Sequence, residues 1–315
     1  MSKVSILVPI YKVEDYIEKC VVSLMEQTYD NIEYVFVDDC TSDNSIKILN
    51  EVINRYPTRR KNVQVIKHKI NRGLAAARNT ALESSTGEYI FHVDSDDWIH
   101  PNCITKLVER AVETNADIVD GGYVDVYLGN TKSVIPEIYS ENKYIKVLLA
   151  GIGISSNRIW GRLIKRSLYF DHNIKAIDGV NYGEDYSVIT RLLYYGKRSY
   201  VNDLLYYYNH LNENSYMHNL SQANFNSLVR SKLFVANYFL SEINRQEYNF
   251  VIHIGLICAL KKGKDTNLDF SDLQQALNDE KLHVISKVLY ISILRGYTSI
   301  SKLLISLIRN IIKYG

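Results

Sequence analysis

The chain of 315 residues is poor in cysteine and proline, and no uninterrupted apolar run reaches the roughly 18 residues of a membrane span. Its 4 prolines argue against long disordered linkers, which are rich in proline. The 4 cysteines have neither CxxC spacing nor a paired framework, which indicates a reducing compartment and no zinc. A net charge of +2 gives no general argument for nucleic acid as a partner.

The amino terminus and the composition predict a cytoplasmic globular protein. The first residues, MSKVSILVPIY, contain too short an apolar stretch for a signal peptide and no cleavage-like site, so we predict a strand there. Hydrophobic residues make up 46% of the chain and charged residues 23%, which is ordinary for a globular protein.

Strand and helix patterns alternate through the first third of the chain. Strands are predicted at 4–9, 33–37, 63–67, 88–93 and 117–121, with helices at 13–27, 43–56, 73–85 and 102–114. This alternation predicts an α/β fold with a mostly parallel sheet and helices on both faces. Residues 123–140 alternate around Gly129-Asn130, which favours a hairpin, and the pattern beyond about 216 is helical.

The segment after the fourth predicted strand, VDSDDW, carries three carboxylates within four residues. Asp94, Asp96 and Asp97 repel one another unless a cation or strong donors neutralise them. Hard oxygen ligands suit Mg²⁺ or Mn²⁺, and Mg²⁺ is usually held by one or two carboxylates plus substrate phosphates. A helix cap before Pro101 is the alternative, but it accounts for one carboxylate only. The cluster therefore predicts a metal site at a strand's carboxyl end, where open α/β sheets bind ligands.

Three further segments carry candidate site residues. In VDDCTSD, after the second strand, an Asp carboxylate can accept a hydrogen bond from a base N–H or a ribose hydroxyl. We favour Asp39 over Asp38 for this role, because the only role of Asp38 can be to accept hydrogen bonds from backbone N–H groups. In NRGLAAARN, Arg72 and Arg78 offer charge for a diphosphate, although basic residues near a helix start are also common solvated side chains. Asp43 is predicted to cap the helix that follows it.

The third segment, GEDYSVI, places Glu184 and Asp185 at the start of a predicted helix that runs through Leu193. Helix amino termini attract carboxylates, so either residue can have a purely structural role. The functional interpretation is a general base that takes a proton from an attacking hydroxyl. The sequence leaves both interpretations open.

The last 35 residues have an unusual charge pattern. From Lys281 onward there are six Lys and Arg residues and no Asp or Glu. Helical spacing gathers one apolar stripe from Ile300, Leu303, Leu304, Leu307, Ile308, Ile311 and Ile312, opposite Lys302, Arg309 and Lys313. Such a helix can lie on an anionic membrane surface or dock on the protein body.

Taken in order, VPIY, VDDCTSD, NRGLAAARN, GEYIFHVDSDDWIHP and GEDYSVI resemble the family 2 glycosyltransferases of the GT-A fold over residues 3–215. The resemblance implies a Rossmann-like, mostly parallel sheet flanked by helices. It implies a nucleotide-sugar-binding half at 1–121, an acceptor-side half at 122–215 and a helical carboxyl-terminal extension at 216–315. The implied activity is inverting transfer of a sugar from a nucleotide diphosphate donor, assisted by Mg²⁺ or Mn²⁺.

The resemblance also implies roles for single residues. Pro9 and Tyr11 match the motif that lines the nucleoside pocket, and Asp39 matches the acid that contacts the base, commonly uracil. Asp94, Ser95 and Asp96 match the metal-binding DxD motif, with Asp96 as direct ligand and Asp97 as helper. Asp185 matches the catalytic base. Trp160 resembles an aromatic residue of the acceptor side, with a core position as the alternative.

The chain departs from the family pattern at two places. Cys40 stands where the family usually has Gly, so a different turn is expected, because Gly takes positive φ freely. Asn209 follows the tyrosines where many relatives carry Arg, and it cannot replace that charge. His210 is interpreted either as a phosphate or metal contact or as a local structural residue.

Together these features predict a cytoplasmic glycosyltransferase that uses a UDP-sugar in cell-surface polysaccharide synthesis, with a glycan or lipid-linked acceptor and no nucleic acid. A nucleotidyltransferase would be expected to carry a Gly- and Lys/Arg-rich loop after the first strand, where this chain has YKVE. A non-catalytic sugar-nucleotide-binding relative would be expected to lack a DxD or ED acid, and both motifs are present.

Overall fold

The first parallel strands form the apolar centre of a large sheet. β1 (Val4–Ile10) and β2 (Ile32–Asp38) are almost wholly buried, as parallel strands covered on both faces are. β3 (Val63–Lys67) pairs with β2 at the edge of the sheet, and β4 (Tyr89–His92) pairs with the other side of β1. Because all three pairings are parallel, the carboxyl ends of these strands meet at one edge.

The computed structural model describes residues 1–152, 157–212 and 220–314. Within them the sheet has the order β3-β2-β1-β4-β8-β6-β9-β5, and β7 pairs with β6 as a hairpin. Its further strands are β5 (Trp98–Ile99), β6 (Ile118–Tyr127), β7 (Asn130–Val134), β8 (Arg162–Lys165) and β9 (Arg198–Asn209). β8 is antiparallel to β4 and β6, whereas β9 is parallel to β6.

Helices cover this sheet as the alternating pattern predicts. They are α1 (Ile17–Met25), α2 (Ser45–Asn54), α3 (Pro57–Arg60), α4 (Leu74–Ser84), α5 (Cys103–Thr114) and α7 (Arg166–Asp171). Ile6 and Val8 of β1 join buried side chains of α1, α2 and α5 in one apolar cluster. α4 packs on β1 and β2, and its three consecutive alanines are buried.

A second compact unit contains the remaining helices. They are α6 (Glu141–Ala150), α8 (Glu184–Tyr195), α9 (Gln222–Asn237), α10 (Asn249–Asp265), α11 (Ser271–Asp279), α12 (Val284–Leu294) and α13 (Thr298–Tyr314). A π-helical turn at Tyr238–Glu242 continues α9, and a 3₁₀ turn at Gln246–Tyr248 leads into α10. The chain enters this unit more than once, since it comprises 138–157, 182–194 and 216–315. No helix among the described residues is both long enough and apolar enough to cross a bilayer.

The α/β class, the flanked sheet and the helical carboxyl-terminal region are confirmed. The structure differs from the sequence prediction in detail: α1 begins at Ile17 rather than 13, and the strand predicted at 117–121 continues to Tyr127 as one arm of the hairpin. β8 and β9 were not predicted, because β8 has four residues and polar residues interrupt β9. The predicted boundary at 215/216 lies outside the described residues, and the three-part functional division stays a prediction.

A buried ion cluster joins the middle strands of the sheet. The carboxylate of Asp120 in β6 lies 2.6 Å from the Nε atom of Arg162 in β8 and 2.6 Å from the Nε atom of Arg198 in β9. Asp120 and Arg162 are buried, and the side chain of Arg198 is only 6% exposed. The arginines hold the pKa of Asp120 well below its usual range, although burial alone would raise it. Asp120 thus links β6 to β8 and β9.

We predict that Asp120→Asn destabilises the sheet-containing unit by about 3–5 kcal/mol, because it leaves two arginines buried without their carboxylate. The change is measured as the urea midpoint followed by tryptophan fluorescence, since Trp98 and Trp160 both belong to this unit. Because the folded-state pKa is lowered, the stabilisation is present at neutral pH and lost as the pH falls below about 4.

The matched control is Glu18→Gln, which breaks the exposed pair that Glu18 forms with Arg55 at 2.8 Å. It is expected to change stability by less than about 1 kcal/mol. Equal midpoints for the two variants would show that the buried cluster contributes no more than a surface pair.

Candidate active site

Three acidic or aromatic segments meet where the parallel strands end. The register places Ile10 beside Asp38 and Leu7 beside His92, so Tyr11, Asp39 and Asp94 all follow strand ends at the same edge. Pro9 is buried within β1, whereas Tyr11 is 41% exposed. Tyr11 therefore presents its ring at this edge, while Pro9 supports it from inside the sheet.

Asp39 connects the end of β2 to the start of α4. Its Oδ1 atom accepts from the Arg72 backbone N–H at 2.8 Å and lies 2.6 Å from His68 Nδ1, and its Oδ2 atom accepts from the Gly73 N–H at 2.7 Å. His68 Nε2 in turn lies 2.9 Å from the Thr80 hydroxyl. The buried carboxylate thus fixes the loop before α4 and orients a histidine ring.

Gly73 permits this connection. Its φ of 85° lies in the left-handed region, and a Cβ atom there would collide with the side chain of Asn181. Asn181 Oδ1 accepts from the Ala75 N–H at 3.1 Å, which satisfies a donor in the first turn of α4. The side chain of Arg72 is exposed at the same place. The segment NRGLAAARN therefore forms a tight turn that leads into the buried helix α4, and the side chain of Arg72 in this turn is exposed.

The loop after Asp39 takes a strained turn. Cys40 has a φ of 60°, so the chain adopts left-handed backbone there without the glycine that is usual in the family motif. Asp38 accepts from the Thr41 N–H at 2.8 Å, in agreement with a backbone-satisfying role. Asp43 Oδ1 accepts from the Ser45 N–H at 3.2 Å and from the Ser45 hydroxyl at 2.7 Å, and so stabilises the start of α2.

The acid segment 94–97 forms a tight turn in which the Asp97 N–H donates to the Asp94 carbonyl at 3.0 Å. Asp94 Oδ1 accepts from the guanidinium of Arg78 at 2.7 Å, and the Asp94 side chain remains 24% exposed. Arg78 itself is buried. The arginine predicted to meet a diphosphate thus lies against the first carboxylate of the cluster.

Asp96 is half-buried, and its Oδ2 atom accepts from Asn212 Nδ2 at 2.7 Å. Burial and the neighbouring Asp94 charge raise the pKa of Asp96 to about 6, although the Asn212 hydrogen bond opposes the shift. Ser95 between them is buried. The unfavourable charge on Asp96 is what a bound cation would relieve.

Asp97 faces the protein interior. Its side chain is 0% exposed, its Oδ2 atom accepts from the Tyr206 hydroxyl at 2.6 Å, and its Oδ1 atom accepts from the Asn209 N–H at 2.7 Å. Burial and the charges of Asp96 and Asp94 raise its pKa well above the usual range. Asp97 thus supports the turn from inside, and its role as a helper in metal binding stays a prediction.

Sequence reasoning missed the partners that β9 provides to this turn. The Tyr206 hydroxyl also accepts from the Asp94 N–H at 3.1 Å, and Asn209 Nδ2 donates to the Asp96 carbonyl at 3.1 Å. With Asn212, these residues repeat every third position at and beyond the end of β9. The available signal was a set of polar residues at the end of an aromatic strand. Polar residues at the ends of β1, β2 and β4 had indicated site residues in the same way.

The residues present fit a single hard cation rather than a closed protein cage. Among the described residues, no three or more His, Cys, Asp or Glu side chains converge as metal ligands. Asp94 and Asp96 are nevertheless only partly buried, and Mg²⁺ commonly takes one or two carboxylates and completes its shell with phosphates and water. Metal binding by Asp94 and Asp96 stays a prediction.

The ED motif opens α8 in the second unit. Glu184 and Asp185 both lie in the first turn, where the helix dipole favours carboxylates; Glu184 is buried and Asp185 is half-buried. α9 holds the residue before them, since the Ser231 hydroxyl donates to the Gly183 carbonyl at 2.6 Å. The Tyr186 hydroxyl donates to the Leu149 carbonyl at 3.0 Å, which fixes the same turn from α6.

Two other candidate residues have structural environments. Trp160 is 8% exposed and stacks on Tyr206 and Tyr208 with ring centroids 4.5 Å and 4.9 Å away, so it belongs to the core. His210 stacks on Tyr127, and its Nε2 atom lies 2.9 Å from Asp125 Oδ1. These contacts agree with the structural interpretation of both residues.

Known proteins resemble a large part of this chain. The model of the family described as Glycosyl transferase family 2 matches residues 5–172, which is more than half of the chain. The chain belongs to glycosyl transferase family 2. Glycosyltransferase GlyA of Streptococcus pneumoniae serotype 4 is 32% identical over 219 residues, covering 64% of this chain and 30% of GlyA. The chain thus matches less than a third of the length of GlyA.

Solved structures show the same GT-A fold. The Staphylococcus aureus TarS 1-349 structure in complex with UDP-GlcNAc has a TM-score of 0.66 at 21% identity and covers 88% of this chain and 79% of TarS. The mannosyltransferase PcManGT of Pyrobaculum calidifontis, in complex with GDP-Man and Mn²⁺, has a TM-score of 0.56 at 16% identity, covering 99% and 86% of the two chains. At these identities the likeness concerns the fold of this family 2 chain.

We predict that Tyr206→Phe destabilises the sheet-containing unit by about 1–3 kcal/mol, because the buried Asp97 carboxylate loses a donor. Tyr207→Phe removes a hydroxyl that makes no hydrogen bond with other described residues, and it is expected to change stability by less than about 0.5 kcal/mol. Urea unfolding of both variants gives the comparison. Indistinguishable midpoints would contradict the support that Tyr206 is inferred to provide.

We predict that Cys40→Gly is more stable than Cys40→Ala by about 0.5–1 kcal/mol, because only glycine relieves the left-handed backbone. The alanine variant is the control, since it removes the thiol and keeps the Cβ atom. Thermal and urea unfolding measure the difference. A glycine variant no more stable than the alanine variant would show that this turn carries no strain.

Proposed function

We propose that this family 2 chain is a metal-dependent, inverting glycosyltransferase that moves a sugar from a UDP-sugar to a hydroxyl of a glycan or lipid-linked acceptor. The observation that supports this best is the meeting of Tyr11, Asp39 and the 94–97 turn at the carboxyl edge of the parallel strands. Open α/β sheets bind their ligands at this edge.

In this proposal the uridine lies across the ends of β1 and β2. Tyr11 offers an exposed aromatic ring, and Pro9 shapes the backbone beneath it. The carboxylate of Asp39 has about four acceptor sites and uses three of them internally, which leaves one for the N–H of a uracil base. TarS, which has the same fold, is known in complex with UDP-GlcNAc.

The donor's diphosphate is proposed to lie beside the acid turn. Asp94 and Asp96 would hold Mg²⁺ or Mn²⁺ there, with Ser95 keeping the two carboxylates apart in sequence. When bound, such a cation offsets the negative charge that grows on the leaving diphosphate. Arg78 orients the Asp94 carboxylate through its 2.7 Å contact, and the exposed Arg72 is left to meet phosphate oxygens.

Asp185 is proposed as the general base. It is half-buried in the first turn of α8, where the helix dipole favours a carboxylate. It would take the proton of the acceptor hydroxyl as that oxygen attacks the anomeric carbon opposite the leaving group. Glu184, buried beside it, is proposed to support that role. A single displacement inverts the configuration at that carbon.

We place this reaction on the cytoplasmic side of a membrane, in the synthesis of a cell-surface polysaccharide. Lipid-linked acceptors of such pathways are presented at the inner membrane surface, which suits a peripheral enzyme. A non-catalytic or nucleotidyltransferase-type sugar-nucleotide-binding protein is the alternative. It is not favoured, because the chain is a family 2 member that retains both acidic motifs.

The proposal is tested with purified protein, Mn²⁺ or Mg²⁺ and a panel of nucleotide sugars, with released nucleotide as the readout. We expect turnover of one UDP-sugar and a loss of about 100-fold or more in both Asp96→Ala and Asp185→Asn. Thermal shift measured with UDP, with and without the metal, separates the two roles. Asp185→Asn is expected to bind UDP as the parent chain does. Asp96→Ala is expected to lose the additional UDP binding that the metal provides.

Asp272→Asn is the matched control for Asp185→Asn, because Asp272 also lies in the first turn of a helix in the second unit. Asp203→Ala, which removes an exposed partner of Lys106, is the control for Asp96→Ala. Full activity in Asp185→Asn would remove the general-base assignment. UDP binding without turnover on glycan and lipid-linked acceptors would favour the non-catalytic alternative.

A further inference from the structure

The last two helices expose apolar side chains in regular rows. On α12, Val284, Val288 and Ile291 are 74%, 48% and 38% exposed, and their spacing of four and three residues puts them on one face. Leu289 and Ile293 are buried on the opposite face. α12 therefore packs through one apolar side and leaves another apolar side open.

α13 divides the stripe that the sequence predicted as continuous. Ile308 and Ile312 are buried with Ser301, whose hydroxyl lies 3.1 Å from that of Ser292 on α12. A second row stays about half exposed or more, namely Ile300, Leu303, Leu307 and Ile311. The helix therefore docks on its own unit through part of the stripe, and the other part stays exposed.

The charge around these rows has one sign. Six Lys and Arg residues and no acid occur from Lys281 to the end of the chain. At about 100° per residue, Lys287 and Arg295 fall within roughly 60° of the apolar row on α12. Both side chains are exposed, as are Lys302 and Arg309 on α13. Lys287 and Arg295 thus border the exposed apolar row on α12, whereas Lys302 and Arg309 lie on the side of α13 opposite its exposed row.

Single exposed apolar residues are normal on a protein surface, but rows of them on consecutive helices mark an interaction site. A second copy of this chain is a poor partner, because neither helix carries an Asp or Glu that could pair with the cations of the other copy. A nucleic acid offers phosphates but no layer that would take up the leucine and isoleucine rows. A bilayer of anionic phospholipids provides both an apolar boundary and negative charge.

We propose that the exposed faces of α12 and α13 bind the headgroup region of an anionic phospholipid bilayer. The apolar rows enter the boundary between headgroups and acyl chains, and the lysines and arginines contact lipid phosphates. This surface does not depend on the transferase chemistry, so vesicle binding and sugar transfer succeed or fail independently.

The test is flotation of the full chain with vesicles of phosphatidylcholine alone or mixed with an equal amount of phosphatidylglycerol. We expect binding to the anionic vesicles that weakens as salt rises, and little binding to the neutral ones. A double variant, Leu303→Ser with Leu307→Ser, is expected to weaken binding about tenfold or more. A second, Lys287→Gln with Arg295→Gln, is expected to weaken it to a similar degree.

The control variant is Leu128→Ser with Ile135→Ser, which removes two exposed apolar residues at and after the hairpin of the other unit. It is expected to bind vesicles as the parent chain does. Circular dichroism confirms that each variant keeps its helices, since all replaced residues are exposed.

Three results would overturn the proposal. The first is failure of the full chain to float with anionic vesicles at low salt. The second is equal binding by the leucine variant, the charge variant and the parent. The third is a dimer, seen by light scattering, that the leucine variant abolishes, because it would identify a second copy as the occupant of this surface.

Discussion

The candidate site depends on the need to neutralise three carboxylates within one four-residue turn. Asp94, Asp96 and Asp97 repel each other, and burial raises the pKa of Asp96 and Asp97, so their charges are harder to sustain. The fold answers with donors from two directions: Arg78 on α4 contacts Asp94, while Tyr206, Asn209 and Asn212 supply hydrogen bonds from β9 and the residues after it. β9 pairs with β5, which directly follows the turn, and so lies close to the carboxylates.

Asp39 performs a comparable role at the end of β2. Its carboxylate joins the loop before α4 to His68, and α4 in turn carries Arg78 to Asp94. The proposed base-binding and metal-binding parts of the site are therefore connected through one helix. A shift of α4 would move one contact of Asp39 and one contact of Asp94. The packing of the buried alanines of α4 therefore affects the positions of both carboxylates at the strand ends.

Much of this could be predicted locally. Apolar runs that end in Asp39 and Asp94 mark strands that stop at the ligand edge, and the family motifs name the same acids. The inward direction of Asp97 could not be predicted, because its partners Tyr206 and Asn209 lie more than a hundred residues away in sequence. β9 itself could not be predicted either, because its polar residues Asn202 and Asp203 interrupt the strand pattern, and its pairing with β6 is known only from the structure. The left-handed turn at Cys40 was missed for a related reason, since the surrounding hydrogen bonds impose a backbone that the residue alone disfavours.

The sequence by itself determined the alternation of strands and helices, the placement of carboxylates at strand ends and the one-sided charge of the final helices. These are local properties, set by side-chain periodicity and by where an apolar run stops. Only the tertiary structure decided which carboxylates face solvent, and which half of the apolar stripe on α13 docks through Ile308 and Ile312. Those choices depend on contacts between distant segments, where the free energy of burying a group is weighed against the partners that the fold brings to it.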